Sequence, residues 1–522
     1  MYTITINDIP NYLKESELCK NIKSDESFDV PIELFRKKLI INTCQDLIDY
    51  IRIFDYWMIN KIPNKFYSWV FKNKDKIDMD LLNDLFPMND LIKQIKIIVE
   101  SSYDKICDAA ASYGYIDCLK YAHENKYPWD EWTCRAASMF GHLNCLTYAH
   151  ENGCDWDCYT CIYAASQGHL ECLKYAHENG CTWLVEDICS NAAEEGHLDC
   201  LKYAHENECP WDENTCRNAA KNGHLECLKY AHENGCEWDK ETCRFASWNG
   251  HLECLKYAHE NGCEWDKNTC TFAAMDGKLL CLKYAYENGC PWYEKEICEK
   301  AASNGHLECL KYAHENNCKW NKWTCRFAAD KGHLDCLKYA HENGCPWCVD
   351  TCSSASRRGH LECLKYAHEN GCPWDVNTCS QASKNGHLEC LKYAHENGCE
   401  WCTNTCRIAA ENGHLNCLKY AHENGCPWDE FTCSCAAING HLNCLKYAHE
   451  NGCPWNADIC RYSARNGHLN CLKYAHENGC PWGDFTCASI NGYSECLRYA
   501  YENGCPCDQL KIYIFSKLQT HC

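Results

Sequence analysis

Residues 216–242 read CRNAAKNGHLECLKYAHENGCEWDKET, and near-copies of this stretch run almost to the C-terminus. Copies open at Cys107, Cys134, Cys161, Cys189, Cys216, Cys243, Cys270, Cys298, Cys325, Cys352, Cys379, Cys406, Cys433, Cys460 and Cys487. That makes fifteen repeats at a spacing of 27, with one extra residue in those opening at Cys161 and Cys270. A chain of 522 residues is too long for one compact core. A stack of repeats escapes that limit, because each repeat buries its apolar face only against its neighbours. The last copy is shortened before its glycine and runs into a divergent tail, as expected where a stack ends.

Punctuation within the repeat fixes its local structure. The polar turn Asp212-Glu213-Asn214-Thr215 offers N-capping oxygens to a short first helix. Ala219 and Ala220 allow another helix to approach closely, and Gly223 breaks the helix. The second helix is LECLKYAHEN, with Leu225, Leu228, Ala231 and His232 expected on one stripe. Glu226, Lys229 and Glu233 fall outside it, spaced for ion pairing on a solvated face. Gly235 stands where a left-handed cap is wanted, and Cys236, Glu237 and Trp238 lead to the next repeat. The expected fold class is all-α, an α-solenoid of about fifteen 27-residue helix-turn-helix repeats.

The pattern C-x-x-A-A-x-x-G-H-L-E-C-L-K-Y-A-H-E-N-G-C resembles the two-helix portion of the ankyrin repeat over roughly residues 107–505. Cys216 stands at the family's first apolar position, Cys227 and Leu228 at its aliphatic pair, and Cys236 at the alanine after the glycine. The period of 27 falls short of the family's ~33, so most of the β-hairpin segment is missing. Short Cys- and Trp-rich copies of this kind resemble the ankyrin-like proteins of giant DNA viruses of amoebae. The resemblance implies protein–protein recognition by a non-enzymatic scaffold.

Charge narrows the partners. The formal net charge is −22, and residues 1–106 hold 15 Lys/Arg against 17 Asp/Glu, so about 20 of those negative charges fall on the rest. That disfavours nucleic acid and anionic lipid. The first twenty residues lack a basic stretch followed by an apolar core, and no apolar run approaches the ~20 residues of a membrane helix. An intracellular, cytoplasmic location (host cytoplasm for a viral chain) is the expectation, with thiols kept reduced.

The 52 cysteines and 26 histidines fall into the repeat lattice. Cys takes the first position 15 times, the twelfth 15 times and the twenty-first 14 times; His takes the ninth 12 times and the seventeenth 13 times. A zinc site wants four converging ligands. Cys216, Cys227, Cys236 and Cys243 lie 11, 9 and 7 residues apart, with no regular C-x-x-C knuckle. Cys227 and His232 are about 140° apart around a helix. Tyr286 and Tyr501 replace the seventeenth-position His, which suits a packed ring better than a ligand. The cysteines therefore read as small buried hydrophobes, with no metal and no cofactor expected. Metal or thiol buffering stays open as an alternative. Trp at the twenty-third position, in 14 repeats, reads as structural cover for helix ends. The seventeenth-position histidines read as buried neutral rings bonded to backbone. No catalytic constellation is singled out among equivalent positions, so no enzyme is expected.

Residues 1–106 lack the repeat and read as a small helical domain or cap, with 107–507 the array and 508–522 a tail. Thr3–Ile6 reads as a short strand, and helices are expected over 31–58, with Pro63 ending one, and over 78–106, split at Pro87. Leu91, Ile95 and Ile98 fall on one face. Val30–Phe35, Asp46-Leu47, Trp57 and Trp69 loosely resemble an F-box, which implies a second reading: a substrate-recruiting adaptor of a ubiquitin ligase docking through 30–70.

A repeat scaffold varies its contact positions. Here the second, third, sixth and seventh positions differ most, with the loop after Trp. Large or basic residues there are the candidate partner-binding set: Phe140, Tyr163, Arg244, Phe245, Trp248, Phe272, Arg326, Phe327, Arg357, Arg358, Arg407 and Tyr462. The partner is a protein whose identity the chain does not encode.

Overall fold

The computed structural model describes residues 2–5, 27–30, 64–77, 90–183, 187–402, 404–455, 458–482 and 494–505, with Ile51 and Met79. The chain divides into two bodies, residues 1–246 with 253–264, and residues 247–252 with 265–522. Among the described residues the only strands are β1 (Tyr2–Thr5) and β2 (Ser27–Val30), paired antiparallel with Tyr2 opposite Val30. Every other described regular element is helical.

Ahead of the repeats lie α1 (Asn64–Asn73) and α2 (Asp90–Glu100). The spacing of Leu91, Ile95 and Ile98 predicts α2, and all three are buried. α1 is an addition: it starts directly after Pro63, whose ring suits the entry to a helix as well as the end of one. Both pack on the first repeat, whose helices are α3 (Ile106–Ser112) and α4 (Ile116–Glu124). The Tyr67 ring stacks on Tyr121 at 5.7 Å, and Phe71 lies 5.2 Å from Tyr121 and 4.9 Å from Tyr127. Tyr67 Oη donates to Gln94 Oε1 at 2.6 Å, satisfying a buried hydroxyl. Residues 31–58 apart from Ile51, the segment around Pro87, most of the F-box-like stretch and the 508–522 tail lie outside the described residues.

In the first body, the repeat opening at Cys216 shows the common form. Its first helix spans Glu213–Asn222 and its second Leu225–Glu233. Asp212 Oδ1 accepts from Asn214 N at 3.0 Å, the expected cap, typically worth about 1 kcal/mol. Gly223, at φ 83°, ends the first helix. First helices of successive repeats pack on one another more extensively than second helices do. The small side chains make this close approach possible: Cys216, Ala219, Ala220, Leu228 and Ala231 are fully buried. The inward stripe of the second helix is Cys227, Leu228 and Ala231. Leu225 and His232, expected on that stripe, are half-buried at its edges. Cys227 takes the inward place because it lies beside Leu228 and four residues before Ala231. The second body repeats the form, for example with Val376–Asn385 and Leu388–Glu396.

The two glycines of a repeat do different work. The eighth-position glycine has positive φ, and the ninth-position histidine of the next repeat packs against its bare Cα. A Cβ on Gly196 (φ +81°) would sit 2.3 Å from His224 Nδ1. The twentieth-position glycine also has positive φ, but a Cβ on Gly235 meets nothing within 4 Å. Other repeats place Lys126, Glu208 and Asn317 there, at φ 62°, 64° and 66°.

Gly196→Ala is therefore expected to destabilise its repeat by about 2–4 kcal/mol, the left-handed penalty plus overpacking. Gly235→Ala should cost only the backbone penalty, about 1–2 kcal/mol. Native-state hydrogen exchange of the local second-helix amides reads the difference; equal losses would remove the histidine contact as the reason.

Candidate functional site

Each repeat places the side chains that vary between copies on or beside its first helix, while the second helix turns a nearly constant face outward. On that constant face Lys229 Nζ lies 2.8 Å from Glu226 Oε1, and Lys256–Glu253, Lys311–Glu308 and Lys392–Glu389 repeat the pair. At the tip of the second helix a three-ring clamp joins successive repeats. The His232 ring stacks on Trp238 at 3.7 Å and 8°, and Tyr257 of the next repeat meets His232 edge-on at 5.8 Å. Tyr257 Oη and His232 Nδ1 are 3.1 Å apart. The second body holds the same clamp, as in His368, Trp374 and Tyr393. Where Tyr286 replaces the histidine it still stacks on Trp292, at 3.9 Å.

This corrects the expectation for the histidines. The seventeenth-position ring is half-exposed and meets a tyrosine hydroxyl, not backbone. Backbone bonding belongs to the ninth position: His142 Nε2 donates to Ser112 O at 3.1 Å, and His468 Nε2 to Ile438 O at 3.0 Å. The tryptophan does cover helix ends. Trp320 Nε1 donates to Asn343 O at 2.9 Å, and Trp347 Nε1 to Asn370 O at 3.1 Å, each carbonyl at the end of the next repeat's second helix.

The cysteines of a repeat are arranged as a pair and a singleton. The first and twenty-first thiols hydrogen-bond, as in Cys216 with Cys236, and Cys236 Sγ also donates to Asp212 O at 3.1 Å. That bond and burial push the Cys216 thiol far up, while Cys236, which accepts it, is the more acidic of the two. The twelfth-position Cys227 lies apart, and burial raises its thiol to about 11. Among the described residues no three His, Cys, Asp or Glu side chains converge as a metal site. In one pair, Cys298 with Cys318, the two sulfurs come into contact, with Cα atoms 6.7 Å apart.

The candidate partner-binding residues sit as follows. Phe140, 50% exposed, and half-buried Tyr163 line one open groove of about 260 Å³, with Lys105, Asp108, Trp132, Arg135 and Met139. Trp248 and Phe272 stack at 4.9 Å between successive first helices. The Arg326 guanidinium lies over Trp323 at 4.9 Å and Phe327 at 5.9 Å, and its Nε donates to Ser354 Oγ at 3.2 Å. Arg357 and Arg358 both pair with Asp330 of the preceding repeat. Arg244 pairs with Glu241, and Arg461 lies over the Tyr462 ring at 5.0 Å. Phe245 and Arg407 are half-buried on their first helices.

The sequence reading missed Trp132, Arg135 and Tyr159. Arg135 lies 4.7 Å from the Trp132 ring and 5.0 Å from Tyr159, and it pairs with Asp157. Trp132 and Tyr159 are about half-exposed. The signal was available: an aromatic three residues before a second-position Arg, in Trp132–Arg135 and again in Trp323–Arg326, puts both on one helix face.

Two expected outcomes follow from these environments. Burial lowers the pKa of His142, His177, His197, His205, His232, His333, His360 and His441 below the ordinary value near 6.5. The folded state then binds fewer protons than the unfolded chain. Their contribution is complete above the unfolded pKa and is lost as pH falls through the folded values. Tm should drop between about pH 7.5 and about pH 5, measured by circular dichroism; an unchanged Tm would contradict the burial. In native alkylation with mapping by mass spectrometry, half-exposed Cys158, Cys402 and Cys435 should react before any twelfth-position cysteine.

No helix of the described residues is long and apolar enough to cross a membrane. The family described as ankyrin repeats (many copies) matches residues 107–150, 189–232, 216–259 and 270–314. No curated protein matches the chain. Among solved structures, the crystal structure of the human ASB11 ankyrin repeat domain is similar at 20% identity, covering 30% of this chain and 83% of that one, with a TM-score of 0.28. Residues 107–150, 189–259 and 270–314 thus match the ankyrin-repeat family, within an array of helix pairs of one common form.

Proposed function

We propose that the protein is a non-enzymatic scaffold that binds a protein partner along its first-helix surface, anchored at the groove of Phe140 and Tyr163. The observation that carries this reading is the uneven spread of exposed apolar surface. Tyr113, Trp132, Met139, Phe140 and Tyr159, all at least one-third exposed, lie on or at the ends of the first helices of the opening repeats. Exposed aromatic rings and an arginine held between two of them are the features that anchor protein interfaces. The second helices present paired Glu and Lys instead, which solvate a face without distinguishing partners.

Charge selects the occupant. With about 20 net negative charges outside residues 1–106, the complementary partner is a protein surface rich in Lys and Arg that offers an apolar side chain to the groove. At the groove itself the charges are paired, Asp108 with Lys105 and Asp157 with Arg135, so the attraction comes from the surrounding acidic array.

Affinity capture with the full-length protein, followed by titration of the recovered partner, tests this. Trp132→Ala and Phe140→Ala are each expected to weaken binding about 30-fold, as for a central anchor worth about 2 kcal/mol, and added salt should weaken it further. Glu226→Gln on the second helix should leave affinity unchanged. A partner whose affinity ignores both groove substitutions would overturn the assignment.

A further inference from the structure

We propose that the first and twenty-first cysteines of each repeat form a dithiol that closes to a disulfide when the protein meets a low-molecular-weight disulfide oxidant. The two residues are 20 apart in every repeat from Cys134–Cys154 to Cys460–Cys480. The first cysteine opens the buried face of the first helix, and the twenty-first follows the turn that ends the second helix. The same backbone bond fixes that turn each time: Cys236 N donates to Ala231 O, Cys318 N to Ala313 O and Cys345 N to Ala340 O, all at 2.9 Å. In the repeat opening at Cys298 the two sulfurs are already in contact, with Cα atoms 6.7 Å apart, near the upper end of the roughly 4.4–6.8 Å that disulfides span.

Other repeats hold the same arrangement. The first-position thiol lies against the twenty-first residue each time, with Cys189 Sγ 3.9 Å from Cys209 O, Cys216 Sγ 3.9 Å from Cys236 O and Cys379 Sγ 3.9 Å from Cys399 O. Cys216 is fully buried and Cys236 is 3% exposed, so the twenty-first thiol is the one nearer solvent. Its Sγ donates to Asp212 O at 3.1 Å, in the turn that leads into the first helix. Cys236 is therefore the attacking sulfur when the turn opens.

The exchange balances without another reagent. The Cys236 thiolate attacks one sulfur of the oxidant, whose S–S bond breaks and whose first thiolate leaves with the proton. Cys216, as thiolate, then attacks the Cys236 sulfur of the mixed disulfide, and the second oxidant thiol departs. Two protein thiols are oxidised and one small disulfide is reduced. The closed bond ties the start of the first helix to the end of the second, which restricts the unfolded chain of that repeat.

The chain carries its own control. In the first repeat Tyr127 occupies the twenty-first position, and Cys107 faces the Tyr127 carbonyl at 4.0 Å. Cys107 therefore lacks the twenty-first-position thiol to pair with. The twelfth-position Cys227 and Cys309 lie outside the pairs as well.

The experiment uses the full-length protein, reduced and then transferred into oxidised glutathione under native conditions. Remaining thiols are blocked in acid, and peptides are mapped without reduction. The expected result is peptide pairs linked within a repeat, such as Cys216–Cys236 and Cys325–Cys345, each lighter by two hydrogens, with Cys107, Cys227 and Cys309 recovered blocked. In Cys216→Ser, Cys236 should carry glutathione while other repeats still cross-link. Recovery of the first and twenty-first cysteines as blocked thiols, or links between repeats such as Cys216–Cys263, would overturn the proposal. So would a Cys236 free of glutathione in Cys216→Ser beside cross-linked neighbours, because it removes the stated order of attack.

Discussion

A repeat of 27 residues cannot bury its own apolar face, and this structure rests on that insufficiency. Cys216, Ala219, Ala220, Leu228 and Ala231 reach full burial with the neighbouring helix pairs covering them. Their small size is the condition. Two alanines and a cysteine per first helix let backbones approach closely, and one leucine of each second helix, Leu228 here, is fully buried. The eighth-position glycine completes the fit, since the next histidine occupies the space a Cβ would fill. Stability is then a sum of like interfaces, so no single repeat is indispensable and each is limited by its neighbours.

The aromatic clamp offers a second answer to the same problem. A repeat this short has little chain left to cover the tips of its helices. Trp238 lies over His232, and Tyr257 reaches back from the next repeat to bond that histidine. The tryptophan of other repeats caps a helix-end carbonyl of the following one. Polar groups exposed by the shortened connection are thus satisfied by side chains rather than by strands.

Constancy on one face and variety on another divide the labour. The second helices carry the burial and the clamp, and their outward Glu and Lys scarcely change. The first helices carry Arg, Trp, Tyr and Phe in combinations that differ between copies. Arg135 between Trp132 and Tyr159 and Arg326 over Trp323 use one device in two places. In each, the planar guanidinium is held by rings, which reduces the order it must lose on meeting a partner.

Much of this was legible in the primary structure because a repeated pattern states the same local rule fifteen times. Asp212 before a helix, Gly223 after it and the inward Leu228 and Ala231 follow from capping chemistry, positive φ and helical period, all of which are local. The assignment of the cysteines to packing came from their spacing, from the tyrosines that replace histidine and from the apolar sites of the resembled pattern, and burial agrees with it. What spacing along one chain does not encode is which side chains of successive repeats meet. His232 bonds Tyr257 rather than backbone, and Trp132 with Tyr159 encloses Arg135, because stacking brings together residues about one period apart, while Cys216 neighbours Cys236 rather than Cys227 because the helix pair folds back on itself within one repeat. The sequence by itself determined the helix pair, its boundaries and its buried small-residue face. Only the tertiary structure decided the clamp, the paired thiols and the groove, since each is made by the approach of elements whose mutual placement no local pattern specifies.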